Sequence, residues 1–295
     1  MSKKPIEYYD PKTDKFPYPL DTASHYLIVK KNNGLEFDEN YPYIDNSKKF
    51  RFKRFWVRFL IVILVFLLTK IRLGLKVRGK KILRRNKALI KKGVISVSNH
   101  VHMWDYLAIM KVVRRYNWPN VLVWATNIRG EQSKNIRAVG GIPIPDNNYK
   151  GTKKYIEEVC KLLDQGKWLQ IYAEGSMWEY YKPIRPFKRG ISYFAIKCDK
   201  PIIPMAFSYR RPNWIRRKIF KQIACFTLNI GEPIFANKSL DKKEMEEDLT
   251  RRCHEEVCRL AGIDPKENLY EAIYNNSERI DYYTDTYGVN YKGSR

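Results

Sequence analysis

The stretch Val94-Ile-Ser-Val-Ser98-Asn99-His100-Val101-His102-Met103-Trp104-Asp105 decides how this chain of 295 residues is read. Its first five residues form a short apolar run of β-branched character, which predicts a strand. Residues 106–116 carry Leu107, Met110 and Val113 on one helical face, which predicts a helix directly after it. Strand, polar loop and helix in that order are the opening half of a strand–helix–strand unit.

The same alternation continues downstream. Residues 121–125 read as a second strand, followed by a short helical region to residue 139. Residues 152–165 form a strong helix, with Tyr155, Ile156, Val159, Leu162 and Leu163 at helical spacing and Gly166 as its stop. Residues 168–173 read as a strand, 190–198 as a helix, 202–209 and 226–230 as strands, and 240–260 as a charged closing helix. Strands separated by helices over this length predict an α/β domain with a mostly parallel, twisted sheet flanked by helices, over residues 93–262. Residues 263–295 are a C-terminal extension.

Upstream the composition changes. The formal net charge is +25 and unevenly spread: residues 1–47 hold six lysines and eight acids, whereas residues 48–92 hold seventeen Lys and Arg and no acid. Residues 1–47, rich in Pro, Tyr, Asp and Asn, read as an irregular lead-in. Residues 48–92 surround the apolar run at 59–68, which follows Trp56, Val57 and Arg58. A spanning helix needs about 20 apolar residues, and this run is shorter. Positive charge on both flanks gives no orientation across a bilayer. The region therefore reads as an N-terminal hydrophobic membrane-anchoring helix lying in one leaflet, on the cytoplasmic face. A buried core helix and a single spanning helix are the alternatives. The five cysteines form no CxxC pair and no metal-ligand spacing, so they read as reduced thiols, and no metal or cofactor is expected.

In parallel sheets, reactive groups collect beyond the C-terminal ends of the strands. Two loops stand there. In the first, His100 can take a proton from an alcohol while Asp105 fixes the tautomer of its ring. Spacing alone also allows Asp105 as a helix cap, His100 as a surface residue, and His102 as a rival base. In the second, Glu174-Gly175-Ser176, a carboxylate and a glycine turn could hold a substrate hydroxyl or simply cap the strand.

Together these features resemble the glycerolipid acyltransferase family, whose lysophosphatidate acyltransferases act on the 2-position of glycerol. Asn99, His100 and Asp105 match its N-H-x4-D block. Residues 140–146, Gly-Gly-Ile-Pro-Ile-Pro-Asp, resemble its glycine–isoleucine block. Tyr172-Ala-Glu-Gly-Ser176, with Phe187-Lys-Arg-Gly190 downstream, resembles its Glu-Gly block, and Pro201-Ile-Ile-Pro204 its proline-containing strand.

The resemblance implies acyl transfer from acyl-CoA or acyl carrier protein to the sn-2 hydroxyl of 1-acyl-glycerol-3-phosphate. His100 and Asp105 would be catalytic, with Glu174, Gly175, Ser176, Lys188, Arg189 and Pro204 binding substrate. Amides of the 174–176 turn would stabilise the oxyanion. A lipid membrane, the lysophospholipid and the acyl thioester donor are the partners, and nucleic acid is not one. The chain departs from the pattern at Asp146 and Met177, where the family has phosphate-binding arginines. Lys182, Arg185, Lys188, Arg189, Arg137 and Arg129 are candidate replacements. Another lysolipid acceptor is the alternative within the class. Outside it stands a non-catalytic basic membrane- or nucleic-acid-binding protein.

Overall fold

The computed structural model describes residues 34–268, apart from 131, 132, 147, 179, 182, 211, 221 and 223. Three helical stretches come first: α1 (Lys48–Leu60), a π-helical turn at Ile61–Val65, and α2 (Phe66–Leu73). Then follow β1 (Lys76–Val77), α3 (Lys80–Arg85), α4 (Lys87–Ile90), β2 (Val94–Val97), α5 (Asp105–Val113) and β3 (Pro119–Trp124). The middle of the chain holds α6 (Ala125–Arg129), α7 (Ser133–Val139), β4 (Gly141–Ile144), α8 (Tyr149–Asp164) and β5 (Trp168–Ile171). It ends with α9 (Gly190–Lys197), β6 (Ile202–Arg210), α10 (Trp214–Lys218), β7 (Cys225–Ile230) and α11 (Lys242–Ala261).

Among the described residues the strands form one seven-stranded sheet in the order β1-β7-β6-β2-β5-β3-β4. The pairs from β6 to β4 are parallel, and β7 runs antiparallel to β6 with β1 parallel to β7. The expected mostly parallel α/β sheet is therefore present. The antiparallel β7, the edge strand β4 and the two-residue β1 were not anticipated. In β4 the sequence Gly-Ile-Pro-Ile hides a strand, because proline cannot donate to a ladder; at an edge it costs nothing on the solvent side.

The strands β2 and β5 lie side by side at the centre, buried along their whole length. Their register is held by a buried polar chain: Trp168 Nε1 donates to Ser96 Oγ at 2.7 Å, which donates to Gln170 Oε1 at 2.5 Å. The Gln170 amide then donates to Ser98 Oγ at 3.0 Å. A slip of one residue would leave several of these groups unpaired in the core, at roughly 1–3 kcal/mol each. Chain order reverses at β2: β5 lies on one side of it and β6 on the other. This is a topological switch point, where open α/β sheets form crevices.

The proposed boundary between an anchor (48–92) and a domain beginning at residue 93 does not hold. The strand β1 joins the sheet, and Leu83 of α3 and Ile90 of α4 are fully buried in its core. Helices α1 and α2 pack on the domain by one face only. Ile61 and Phe66 bury against Met110 of α5, and Arg58 stacks over Trp118 while donating to the Ala138 carbonyl. The opposite face carries exposed Phe52, Phe55, Trp56, Phe59, Ile63 and Leu67. Among the described residues, no helix is long and apolar enough to cross a membrane.

Residues 34–47 are irregular, as expected, but not loose. Phe37 and Tyr43 are buried, and the Tyr43 hydroxyl donates to the Phe37 carbonyl at 2.7 Å. Residues 1–33 of the lead-in and 269–295 of the extension lie outside the described residues.

Candidate active site

Because β2 and β5 are parallel neighbours, the loops that follow them rise from the same edge of the sheet. Asn99 begins the first loop and anchors it. Its side-chain amide donates to the Phe207 carbonyl at 3.0 Å and accepts from the Phe207 amide at 2.8 Å, extending the β2–β6 ladder past the end of β2. The chain then turns, and α5 starts at Asp105.

His100 and Asp105 meet. His100 Nδ1 lies 2.7 Å from Asp105 Oδ2, with the histidine partly exposed and the aspartate buried. Asp105 is not the helix cap, which is Trp104. Its Oδ2 accepts from the amides of Val101 at 3.0 Å and His102 at 3.4 Å, upstream in the loop. Its Oδ1 accepts from the Tyr172 hydroxyl at 2.6 Å. An ionised carboxylate only accepts, so Nδ1 of His100 carries the proton and Nε2, on the far side of the ring, presents a lone pair. The first turn of α5 adds a favourable field for the negative charge.

Tyr172 fixes the histidine a second way. Its ring stacks on the imidazole with centroids 3.9 Å apart and planes 16° apart. Burial, and then the neighbouring Asp105, push the Tyr172 phenol well above its ordinary value, so it stays a hydrogen-bond donor. His102 has a different place. It is buried, its Nδ1 accepts from the Trp104 amide at 3.0 Å, and its ring lies edge-on to Phe226 and Tyr180. His102 shapes the loop from inside, and only His100 of the two is partly exposed.

The second loop binds the first through Glu174. This buried carboxylate accepts from the His100 amide at 3.2 Å and the Arg185 amide at 3.0 Å, and forms an ion pair with the Arg185 guanidinium at 3.0 Å. Arg185 also donates to Ser176 Oγ at 2.7 Å and to the Ser176 carbonyl, and lies over the Trp178 ring. Two backbone bonds complete the tie, from Trp178 to the His100 carbonyl and from Tyr180 to the Val101 carbonyl. Tyr180 holds φ = 61°, a conformation uncommon for a non-glycine residue.

The expected substrate-binding residues take up these positions. Glu174 and Ser176 face Arg185 in the interior and hold the loop that carries His100. The Gly175 amide donates to the Tyr172 carbonyl at 3.0 Å and closes the turn. Pro204 is buried in the centre of the sheet opposite Val97. Arg189 pairs on the surface with Glu247 at 3.1 Å. Lys188 does lie at the turn: a Cβ placed on Gly175 would fall 2.7 Å from its ammonium.

Of the other basic candidates, Arg129 makes a two-point pair with Asp146 and donates to the Leu35 carbonyl. That pairing holds the Asp146 carboxyl below its ordinary value. Arg137 donates to the carbonyls of Pro42 and Tyr43. Both arginines fasten the irregular lead-in to the domain. Lys182 lies outside the described residues. The stacking of Tyr172 on His100 and the pairing of Glu174 with Arg185 are contacts that spacing did not reveal, although Tyr172, Glu174 and Arg185 all lie in or near the Glu-Gly turn.

Residues 74–208 match the acyltransferase family. The matched stretch is a little under half of the chain. It begins at Gly74, just before β1, and ends in β6, so it includes both loops. No curated protein matches the sequence. Among solved structures the chain is similar to the 1-acyl-sn-glycerophosphate (LPA) acyltransferase PlsC from Thermotoga maritima. Identity is 14% and the TM-score 0.48, covering 74% of this chain and 84% of that one. Among the described residues no cluster could hold a metal ion.

Proposed function

We propose that this acyltransferase moves a fatty acyl group from acyl-CoA or acyl carrier protein to the sn-2 hydroxyl of 1-acyl-glycerol-3-phosphate, with His100 as general base. The observation that carries the reading is the His100–Asp105 pair at the switch point, inside the acyltransferase domain. Nε2 of His100 takes the acceptor's hydroxyl proton as the oxygen attacks the thioester carbonyl. The tetrahedral intermediate collapses, the C–S bond breaks, and the imidazolium returns its proton to the leaving thiolate. The products are the new ester and the free thiol. Asp105 stabilises the imidazolium, and Tyr172 steadies both. Lys188, beside Gly175, is the cation best placed to face the acceptor's phosphate.

The apolar, basic outer face of α1 and α2 suits an anionic, cytoplasmic leaflet, which would bring the enzyme to an acceptor that lies in the bilayer. A different lysolipid is the second reading. It is favoured by Asp146, which occupies Arg129 where the family places a phosphate-binding arginine.

The test is turnover by the purified chain with a panel of lysolipids and both donor types, with products identified by mass spectrometry. Lysophosphatidate should be the preferred acceptor. His100→Ala should lower kcat by about 10²–10⁴, and Lys188→Ala should raise KM for phosphorylated acceptors alone. Retained turnover in His100→Ala, together with its loss in His102→Ala, would refute the base assignment.

A further inference from the structure

The segment between β6 and β7 has no part in the chemistry above. Here α10 and the residues after it expose Trp214, Ile215, Ile219 and Phe220, each at least half exposed to solvent. Arg217 and Lys218 lie among them, and no acidic residue occurs between Lys200 and Gly231. Large apolar side chains exposed together are unusual on a soluble surface and mark a place of contact. Interleaved with cations and free of acids, they fit an anionic lipid surface better than a protein groove.

The location of this segment is set by the sheet. Strand β6 is parallel to β2, so its C-terminal end, from which α10 departs, lies on the edge that carries His100. The C-terminal end of α2 reaches the same edge. Arg216 donates to the Ile71 carbonyl at 2.7 Å, and Gln222 donates to the carbonyls of Ile71 and Arg72 at 2.6 and 2.7 Å. These bonds satisfy the last carbonyls of α2 and hold α10 against it. Ile71 and Leu67 are themselves exposed, so the apolar face of α1 and α2 continues to the foot of α10. The Tyr209 hydroxyl, at the end of β6, donates to the Tyr181 carbonyl at 2.9 Å in the loop tied to His100. The segment is thus joined at one end to the helical face and at the other to the catalytic loops.

We propose that Trp214, Ile215, Ile219 and Phe220, with Arg217 and Lys218, form a second bilayer-contact wedge on the active-site edge of the sheet. The wedge and α1–α2 together set the height of the His100 cleft at the lipid surface. The inference builds on the membrane reading of α1 and α2, and it is independent of which acceptor is used.

The test uses the full chain with Ile219→Cys carrying an environment-sensitive fluorophore, an exposed position where the label will not disturb folding. Vesicles of phosphatidylcholine and phosphatidylglycerol should shift its emission to the blue. Ile215→Glu/Ile219→Glu should weaken partition into those vesicles by about tenfold or more. The same variant should keep its thermal midpoint and its turnover of a detergent-dispersed acceptor. An unshifted label on chain that floats with the vesicles would overturn the wedge. A blue shift produced by an acidic carrier protein in place of vesicles would overturn lipid as its occupant. Turnover in detergent separately judges acyl transfer, so failure of one proposal is distinguishable from failure of the other.

Discussion

Around His100, each neighbour performs a separable task. Asp105 sets the tautomer, Tyr172 braces ring and carboxylate together, and Glu174 holds the backbone amide. Tyr172→Phe keeps the stacked ring and deletes one charge-assisted hydrogen bond, worth roughly 1.5–3 kcal/mol where it acts fully. The expected result is a kcat about tenfold lower with little change in donor KM, read by steady-state kinetics. Arg185→Met strands Glu174 in the interior without its counter-charge. Loss of a buried pair in this way costs about 3–5 kcal/mol, to be read as a lower urea midpoint, while Arg185→Met/Glu174→Leu should recover part of it.

A histidine away from the cleft gives the pH dependence. His254 of α11 lies edge-on to Phe187, with Nε2 by the Ile184 carbonyl. Burial lowers its affinity for a proton, against weaker opposing pulls from the Ile184 carbonyl and Glu174. The unfolded chain therefore takes up a proton that the folded chain refuses once pH drops below about 6.5. Its contribution is intact above that value and lost as pH falls towards the lowered one. Across this window the thermal midpoint of His254→Gln should fall less than that of the parent.

At the scale of elements, the informative places are where one element limits another. Gly151 sits inside α8, where alanine would ordinarily favour the helix by roughly 0.5–1 kcal/mol. Here the Phe37 carbonyl oxygen lies 2.0 Å from where a Cβ would stand. Gly151→Ala is therefore expected to lower the thermal midpoint and loosen residues 34–43, seen as faster amide exchange there. The central strands and α8 were readable because each carries its own periodicity. The edge strand β4 was not, because Gly141 and Pro143 contradict strand propensity and only pairing with β3 overrides it. The direction of β7 was equally hidden, since it depends on how the chain returns through α10.

At the scale of the molecule, charge and apolar surface act together. The acid-free stretches at 48–92 and 200–231 lie on elements that meet at the foot of α2. Salt screens exposed charges beyond a Debye length of about 8–10 Å near physiological strength, but leaves apolar insertion in place. High salt is expected to reduce, without abolishing, cosedimentation with anionic vesicles. Complete release by salt alone would exclude an inserted face.

The α/β alternation, the two loops at the strand ends, and the pairing of His100 with Asp105 were legible in the sequence. Those features are local: periodicity within a segment and residues five apart on one turn. That His102 is buried while His100 is partly exposed emerges only in the fold, because burial is a property of surroundings and not of spacing. The fold also brings Arg185 into the interior beside Glu174, a partner that the sequence spacing does not indicate. It also showed that Asp146 is occupied by Arg129. A carboxylate's role depends on which charge the fold places against it, and no periodicity in the chain records that.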